Sequence, residues 1–184
     1  QISQAYKGDI NVIFYYAGHG VPNEKNNEAY LLPADATPSM LEACLPLSSL
    51  YSSIGSIDAK QAIVFMDACF SGSRRENGMI VSARGIAIKP KKDIVTGNVV
   101  VFSAADGSET AYPYKEKGHG LFTYFLLKKL KESRGNVTLG DLADYIKTNV
   151  SQKSIVVNNK SQTPTISSSA QMQDVWRTMK LFRK

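Results

Sequence analysis

Cysteine, histidine and long apolar runs are all scarce in this sequence of 184 residues. Two cysteines are too few for a disulfide scaffold, and two histidines without CxxC or HExxH spacing argue against a zinc site. No apolar run approaches the roughly 20 residues that a transmembrane helix needs. The acidic residues form no EF-hand pattern, so we expect no metal or other cofactor. Localisation stays open, because the chain begins at Gln1 and shows no secretory signal.

Basic residues outnumber acidic ones by 22 to 16, which gives a net charge of +6. Much of the excess lies between Arg74 and Lys92, in a segment that glycine and proline interrupt. Because aromatic residues do not alternate with these charges, the segment is not typical of a nucleic-acid-binding platform. We therefore interpret residues 73–96 as a flexible basic loop, and expect neither a nucleic-acid nor a membrane partner.

Three nearly continuous apolar runs predict strands that are buried on both faces, as in a parallel sheet covered by helices. These runs are Ile10–Ala17, Ala62–Met66 and Asn98–Phe102. Helical patterns lie between and after them, at Ser48–Ile54, Leu121–Glu132 and Thr138–Val150. Thr138 is a predicted N-cap, with Asp141 three residues further on. The alternation predicts one α/β domain over residues 1–184, a three-layer sandwich with a mainly parallel sheet.

The first predicted strand begins about nine residues after the start of the chain, so no βα unit precedes it. A long apolar strand at the edge of a sheet is an aggregation hazard that proteins normally cover. We therefore expect this chain to be the C-terminal part of a larger domain. An N-terminal segment or separate chain would then complete the sheet beside the first strand.

Reactive side chains follow the carboxyl ends of all three predicted strands. His19 lies between two glycines after the first strand, Cys69 follows the second, and Asp106 follows the third. Because parallel neighbours bring these ends to one edge, we expect the three residues to lie close together. A thiol attacks a carbonyl as the thiolate, and His19 is the candidate that takes its proton. The N–H groups of Gly20 and Cys69 are candidate oxyanion donors.

Each of these residues also has a simpler interpretation. A lone cysteine after a strand, as Cys69 is, is most often a buried core thiol, and a lone histidine at a strand end, as His19 is, is usually a satisfied surface or core group. Cys44 lies in a helix-like or loop segment, LEACLPLSSL, and we interpret it as a buried free thiol. His119 precedes Gly120 and the predicted helix directly, so it is the rival candidate for the base, although its position is typical of a residue at a helix start.

The stretches YYAGHG and FMDACFSG resemble the caspase-like cysteine peptidases, the clan of caspases, metacaspases, paracaspases and clostripain-type enzymes. Cys69 follows His19 by 50 residues, and caspases have a similar separation. The likeness continues through YLLPADA, VVFSAADGSETAY, GHGLFTYFLLKKL and QTPTIS, so it covers most of the chain. It is closer to bacterial caspase-domain and metacaspase-like members than to animal caspases. The resemblance implies a dyad of His19 and Cys69 that needs no third carboxylate.

The sequence departs from the caspase pattern where specificity for the P1 residue is set. The caspase signature has Gln two residues before the cysteine, whereas this chain has Asp67. Residues 67 and 69 point to the same side of a strand, so a carboxylate would lie at the floor of the P1 pocket and favour Arg or Lys. Metacaspases use an Asp here for basic P1 residues, and Asp106 resembles their second pocket acid. The alternatives are a helix-capping role for Asp67 and a turn-forming role for Asp106.

The sequence therefore predicts a cysteine endopeptidase whose partners are protein or peptide substrates with Arg or Lys. The resemblance also implies self-cleavage in the segment after the nucleophile, at Arg74, Arg75, Arg84, Lys89, Lys91 or Lys92. Two other classes stay open, because fold alone does not fix function. One is a catalytically silent interaction module, and the other is a hydrolase or transferase that acts on a different acyl substrate.

Overall fold

The computed structural model of the chain describes residues 2–23, 25–70 and 94–182. Its strands are β1 (Asn11–Ala17), β2 (His19–Pro22), β3 (Ala29–Leu32), β4 (Leu45–Pro46), β5 (Gln61–Asp67), β6 (Val99–Ser103), β7 (Pro113–Tyr114), β8 (His119–Gly120) and β9 (Thr165–Ser168). Its α-helices are α1 (Ile2–Ala5), α2 (Leu47–Gly55), α3 (Leu121–Ser133) and α4 (Leu139–Asn158). Single 3₁₀ turns lie at Leu41–Ala43, Lys115–Lys117, Ala170–Met172 and Trp176–Thr178.

The central sheet has the strand order β1-β5-β6-β9. The first three strands are parallel and the fourth is antiparallel to β6, which confirms the predicted mainly parallel sheet. Every residue of β5 is buried, as its continuous apolar run predicts. Alternate residues of β5 enter two separate cores: Val64 packs on the side of α2, and Phe65 packs on the side of α3 and α4. The sheet is thus the middle layer of a three-layer sandwich.

The prediction that all three runs are buried on both faces is wrong for β1. Its residues alternate between exposed and half-buried, and Ile13 and Tyr15 are 43% and 46% exposed. The reason is its position, since β1 pairs only with β5 among the described strands and lies at the edge of the sheet. The expected covering segment remains a prediction.

The predicted helices agree closely with the observed ones at their first residues. The helix α3 begins at Leu121, as predicted, and ends one residue later than expected. Thr138 is the N-cap of α4 and its hydroxyl accepts a hydrogen bond from the N–H of Asp141 at 3.1 Å. The helix continues past the predicted end at Val150, because no Gly or Pro interrupts the next turns, and it ends where Asn159 is left-handed with a φ of 53°.

Several short elements were not predicted from the sequence. The strands β2, β3 and β4 form a small antiparallel sheet, and β7 pairs with β8. These strands have two to four residues each, too few for a periodic pattern. The predicted basic loop lies outside the described residues, except for 94–96. No helix in the described part of the chain is long and apolar enough to span a membrane.

Candidate active site at the carboxyl edge of the sheet

The parallel register brings the ends of β1 and β5 together. Ala17 is paired with Asp67, and the N–H of Gly18 donates to the Asp67 carbonyl at 3.2 Å. His19 and Cys69 each lie two residues beyond this paired position. The two predicted dyad residues therefore leave neighbouring strands at the same edge, as the sequence predicts.

The backbone of His19 is fixed by a tyrosine of the preceding strand. The Tyr16 hydroxyl lies 2.9 Å from the His19 carbonyl and 3.0 Å from the Leu32 carbonyl, so it donates between the ends of β2 and β3. A Cβ at Gly18 would lie 2.5 Å from the Tyr16 hydroxyl and would displace it. Glycine at position 18 thus leaves room for the Tyr16 hydroxyl that holds the His19 carbonyl.

The glycine after His19 packs directly on the cysteine segment. A Cβ at Gly20 would lie 2.7 Å from the Cys69 carbonyl oxygen and 2.2 Å from Cδ1 of Phe70. Real Cβ atoms do not approach other atoms so closely, so only glycine allows the two chain segments to meet here. Cys69 is a free thiol, 7% exposed, in the core on the α3 and α4 side of the sheet. The predicted base loop and the predicted nucleophile are therefore in contact through their backbones.

Asp67 is buried beneath the first turn of α3. It is only 2% exposed, and its Oδ2 accepts hydrogen bonds from the Thr123 hydroxyl at 2.6 Å and the Thr123 N–H at 3.3 Å. A Cβ at Gly120 would lie 2.2 Å from the same oxygen. The dipole of α3 stabilises a carboxylate at this position. The Thr123 N–H also stabilises it, because N–H groups in the first turn of a helix have no partner within the helix.

This arrangement is the helix-capping role that the sequence allowed as the alternative for Asp67. It does not remove the pocket role, because Asp67 and Cys69 lie on the same side of the chain, toward α3. Tyr15 extends the network, since its hydroxyl lies 2.7 Å from the Thr123 hydroxyl. Thr123 donates to Asp67 and therefore accepts from Tyr15. Sequence reasoning missed Thr123, because its contact with Asp67 joins residues 56 positions apart and no local pattern indicates it.

Asp106 lies on the loop that follows β6, the strand next to β5. Its Oδ1 accepts hydrogen bonds from the N–H of Ser108 at 3.1 Å and from the Ser108 hydroxyl at 2.9 Å. Its carbonyl accepts from the N–H of Glu109 at 2.8 Å. These contacts are those of a turn-forming aspartate, the alternative that the sequence allowed. The carboxylate is half-buried and lies at the edge of the sheet that carries Cys69.

His119 occupies a different environment from His19. It is exposed and precedes α3 in the two-residue strand β8, as its sequence position suggests. It lines an apolar cavity of about 350 Å³ with Ile13, Tyr15 and Thr123, among other side chains, and Cys69 is not among the described residues that line it. His19, and not His119, follows the strand that pairs directly with β5, and its assignment as the partner of Cys69 stays a prediction.

Cys44, the second cysteine, is a free buried thiol, as predicted. It is 6% exposed, and burial raises the pKa of its thiol, with a further rise caused by the nearby Glu42 carboxylate. A thiol of this kind has little thiolate at neutral pH and is a poor nucleophile. Within the described ranges, no group of three or more His, Cys, Asp or Glu side chains is arranged to hold a metal ion.

Comparison with protein families matches residues 1–175 to the family described as caspase domain, Peptidase C14. The paracaspase of Dictyostelium discoideum is 29% identical over 136 residues, which are 74% of this chain and 30% of that protein. Among solved structures, caspase-1 from Spodoptera frugiperda has a TM-score of 0.56 and 15% identity, over 86% of this chain and 59% of that chain. A protein from Geobacter sulfurreducens has a TM-score of 0.61 and 19% identity, over 98% of this chain and 75% of that chain.

These comparisons confirm the predicted caspase-like fold. The structural neighbours are less than 25% identical to the chain, so their likeness concerns the fold alone. The chain spans less than two thirds of the length of the paracaspase and of caspase-1. Since caspase domains form a family within the cysteine peptidases, the family match supports a hydrolase of cysteine-protease type at the level of the family.

Proposed function

Because the chain belongs to the caspase-domain family, we propose that it is a cysteine endopeptidase that cleaves proteins or peptides after Arg or Lys. The observation that carries the proposal is the packing of Gly20 on the Cys69 backbone, where a Cβ would lie 2.7 Å from the carbonyl oxygen. This packing holds the loop of His19 against the strand end that carries Cys69. A nucleophile and its base must be held this way, because proton transfer requires hydrogen-bond reach.

In this proposal Cys69 is the nucleophile and His19 is the general base. Sγ of Cys69 attacks the carbonyl carbon of the scissile peptide while His19 accepts the thiol proton, and the N–H groups of Gly20 and Cys69 donate to the oxyanion. The C–N bond then breaks and the imidazolium gives its proton to the leaving amine, so a thioester remains. His19 next takes a proton from water, whose oxygen attacks the thioester and releases the acid and the thiol.

The preference for a basic P1 residue rests on the position of Asp67. Its carboxylate is 2% exposed and lies two residues before the nucleophile on the same side of the chain. A desolvated carboxylate attracts a guanidinium or ammonium group strongly and repels an acidic side chain. Asp106, at the same edge of the sheet, adds a second negative charge for the same group. The pocket therefore selects Arg or Lys and rejects Asp.

The proposal includes activation by self-cleavage. An enzyme that cuts after Arg or Lys carries six such residues in the segment after its own nucleophile: Arg74, Arg75, Arg84, Lys89, Lys91 and Lys92. These positions lie outside the described residues, and the support is their residue type and their place in the sequence. Purified protein should be clipped after one of them, and the Cys69→Ala variant should stay intact. Clipping of the variant during purification would point to a contaminating protease instead.

The direct test uses fluorogenic peptides that differ only at P1, with Arg, Lys, Asp or Ala. We expect Arg and Lys peptides to be cleaved with a kcat/KM at least about 100-fold above the Asp peptide. Turnover should disappear in Cys69→Ala. Preferred cleavage of the Asp peptide would overturn the pocket assignment, and residual turnover in Cys69→Ala would overturn the nucleophile. No turnover of any peptide would favour the silent interaction module.

A further inference from the structure

A buried glutamine bridges the two ends of the loop that carries Asp106. Gln162 is fully buried, and its Nε2 donates to the carbonyl of Ala104 at 2.9 Å. Its Oε1 accepts from the N–H of Tyr112 at 2.8 Å. Ala104 and Tyr112 are the residues at which this loop leaves β6 and returns toward α3. One side chain therefore closes the base of the loop.

The next residue holds the middle of the same loop. The N–H and the hydroxyl of Thr163 donate to the two carboxylate oxygens of Glu109, at 2.5 Å and 3.1 Å. Charge-assisted hydrogen bonds of this kind are stronger than neutral ones. Two consecutive residues of the QTPTIS segment thus hold the loop at its start, its middle and its end.

The backbone of Gln162 is itself anchored to α4. Its N–H donates to the Ser154 hydroxyl at 3.1 Å, and the Ser151 hydroxyl donates to its carbonyl at 3.3 Å. Ser154 is fully buried, as is Gln162. Because a helix of 20 residues carries these contacts, the loop is fixed relative to a rigid element.

The chemistry of the bridge is specific to glutamine. The side chain must donate at one end and accept at the other, and it must be long enough to reach both loop termini. Glutamate of the same length has no hydrogen to donate when ionised, and methionine can neither donate nor accept effectively. A buried amide whose two ends are both satisfied is stabilising, whereas an unsatisfied one is costly.

We propose that Gln162 is a positioning residue that fixes the Asp106 loop and thereby strengthens binding of a basic P1 residue. This inference rests on the proposed function. His19 and Cys69 follow the paired ends of β1 and β5, and neither lies on this loop. Loss of the bridge therefore raises KM for Arg and Lys peptides more than it lowers kcat.

The chain provides a matched control in Gln61. This second buried glutamine is 2% exposed, and its Nε2 donates to the carbonyl of Lys180 at 2.9 Å, at the end of β5 that lies away from Cys69. Gln61→Met and Gln162→Met both remove hydrogen bonds of a buried amide. We expect the two variants to lose similar amounts of Tm. The kinetic constants of Gln61→Met then show the effect of destabilisation alone.

At a temperature well below both Tm values, Gln162→Met should raise KM for the Arg peptide about 10-fold and change kcat less than about threefold. Gln61→Met should leave both constants within about twofold. Amide hydrogen exchange should increase in residues 105–111 of Gln162→Met only. Gln162→Glu keeps the bond from Tyr112 and loses the one to Ala104, so it serves as the second variant if methionine prevents folding, with a change in the same direction.

The outcomes separate this inference from the proposed function. If the wild-type protein is active but Gln162→Met matches Gln61→Met in KM and in loop exchange, the positioning role is wrong and the proposed function stands. If the wild-type protein cleaves no basic peptide, the proposed function is wrong, and the role of Gln162 in P1 binding is rejected with it.

Discussion

The end of β5 and the loop after β6 form two parts of the candidate site, and different means hold them in place. Asp67 is the last residue of β5, a strand that is buried along its whole length between two parallel neighbours. Its carboxylate is fixed on the first turn of α3 through Thr123. The loop after β6 is instead held by the side chains of Gln162 and Glu109.

This difference indicates which parts of the site depend on single side chains. Strand pairing uses backbone groups that every residue carries, so it tolerates many substitutions. A loop held by side chains loses its position when one amide or carboxylate is changed. The proposed nucleophile and base thus follow the paired strands, and Asp106 lies on the part that a point mutation can loosen.

The largest effects are expected in the rigid part, at the reacting groups. Cys69→Ala and His19→Ala should each lower kcat/KM for the Arg peptide at least about 1,000-fold, because each removes a partner of the dyad. Cys44→Ala and His119→Ala are the matched controls and should stay within about threefold. Steady-state kinetics on the four folded variants check this, and a large loss in His119→Ala alone would contradict the assignment of His19.

A smaller but still large effect is expected for Asp67→Asn. It removes the buried charge that faces a basic P1 residue, so kcat/KM for the Arg peptide should fall about 100- to 1,000-fold. It also removes the negative charge that the dipole of α3 stabilises, which costs about 0.3–1 kcal/mol and lowers Tm by roughly 1–4 °C. Thr123→Val should lower Tm similarly but keep the preference for Arg over Asp. Equal kinetic losses in the two variants would mean that Asp67 acts only as a cap.

Asp106→Asn should have a weaker effect than Asp67→Asn. Asp106 is half-buried and solvent screens its charge, so KM for the Arg peptide should rise only about three- to tenfold. Asparagine still accepts from Ser108 in the turn, so Tm should change by less than about 2 °C. Parallel kinetics and thermal melts measure both quantities. If Asp106→Asn lost more kcat/KM than Asp67→Asn, Asp106 would contribute more than Asp67 to binding of a basic P1 residue.

The smallest expected signal is alkylation of Cys44, which serves as a reference thiol outside both parts. Its exposure of 6% is close to the 7% of Cys69, so burial alone does not separate the two. Burial and Glu42 raise the pKa of the Cys44 thiol, so its reactive thiolate forms only when the pH exceeds the usual pKa of a thiol. Cys44 should therefore react appreciably with iodoacetamide only at such alkaline pH. Peptide mass mapping from pH 6 to pH 10 should find Cys69 modified first. Earlier modification of Cys44 would contradict this order.

The fold could be predicted largely from the sequence because its central strands and helices have long, clear patterns. The run Ala62–Met66 predicts β5 to within one residue at each end, and Thr138 predicts the start of α4. The strand β9 could not be predicted, because TISS is short and polar and is placed by its pairing with β6. The exposure of β1 likewise follows from its place at the edge of the described sheet, which its own apolar residues do not indicate.

The candidate site was only partly predictable. The strand ends indicated where His19 and Cys69 would meet, because the edge of a parallel sheet follows from strand order. The contacts of Asp67 with Thr123 join residues that are 56 positions apart, and those of Gln162 with Ala104 join residues 58 apart. No local pattern specifies such pairs. The roles of both acids in P1 binding remain predictions.

The central claim is that Cys69 attacks substrates whose P1 residue is basic. The most direct measurement is mass mapping after reaction with peptidyl chloromethyl ketones that carry Arg or Asp at P1. We predict a single adduct on Cys69 with the Arg reagent, slower labelling by the Asp reagent, and strongly reduced labelling in His19→Ala. An adduct on Cys44, faster labelling by the Asp reagent, or no adduct at all would contradict the claim.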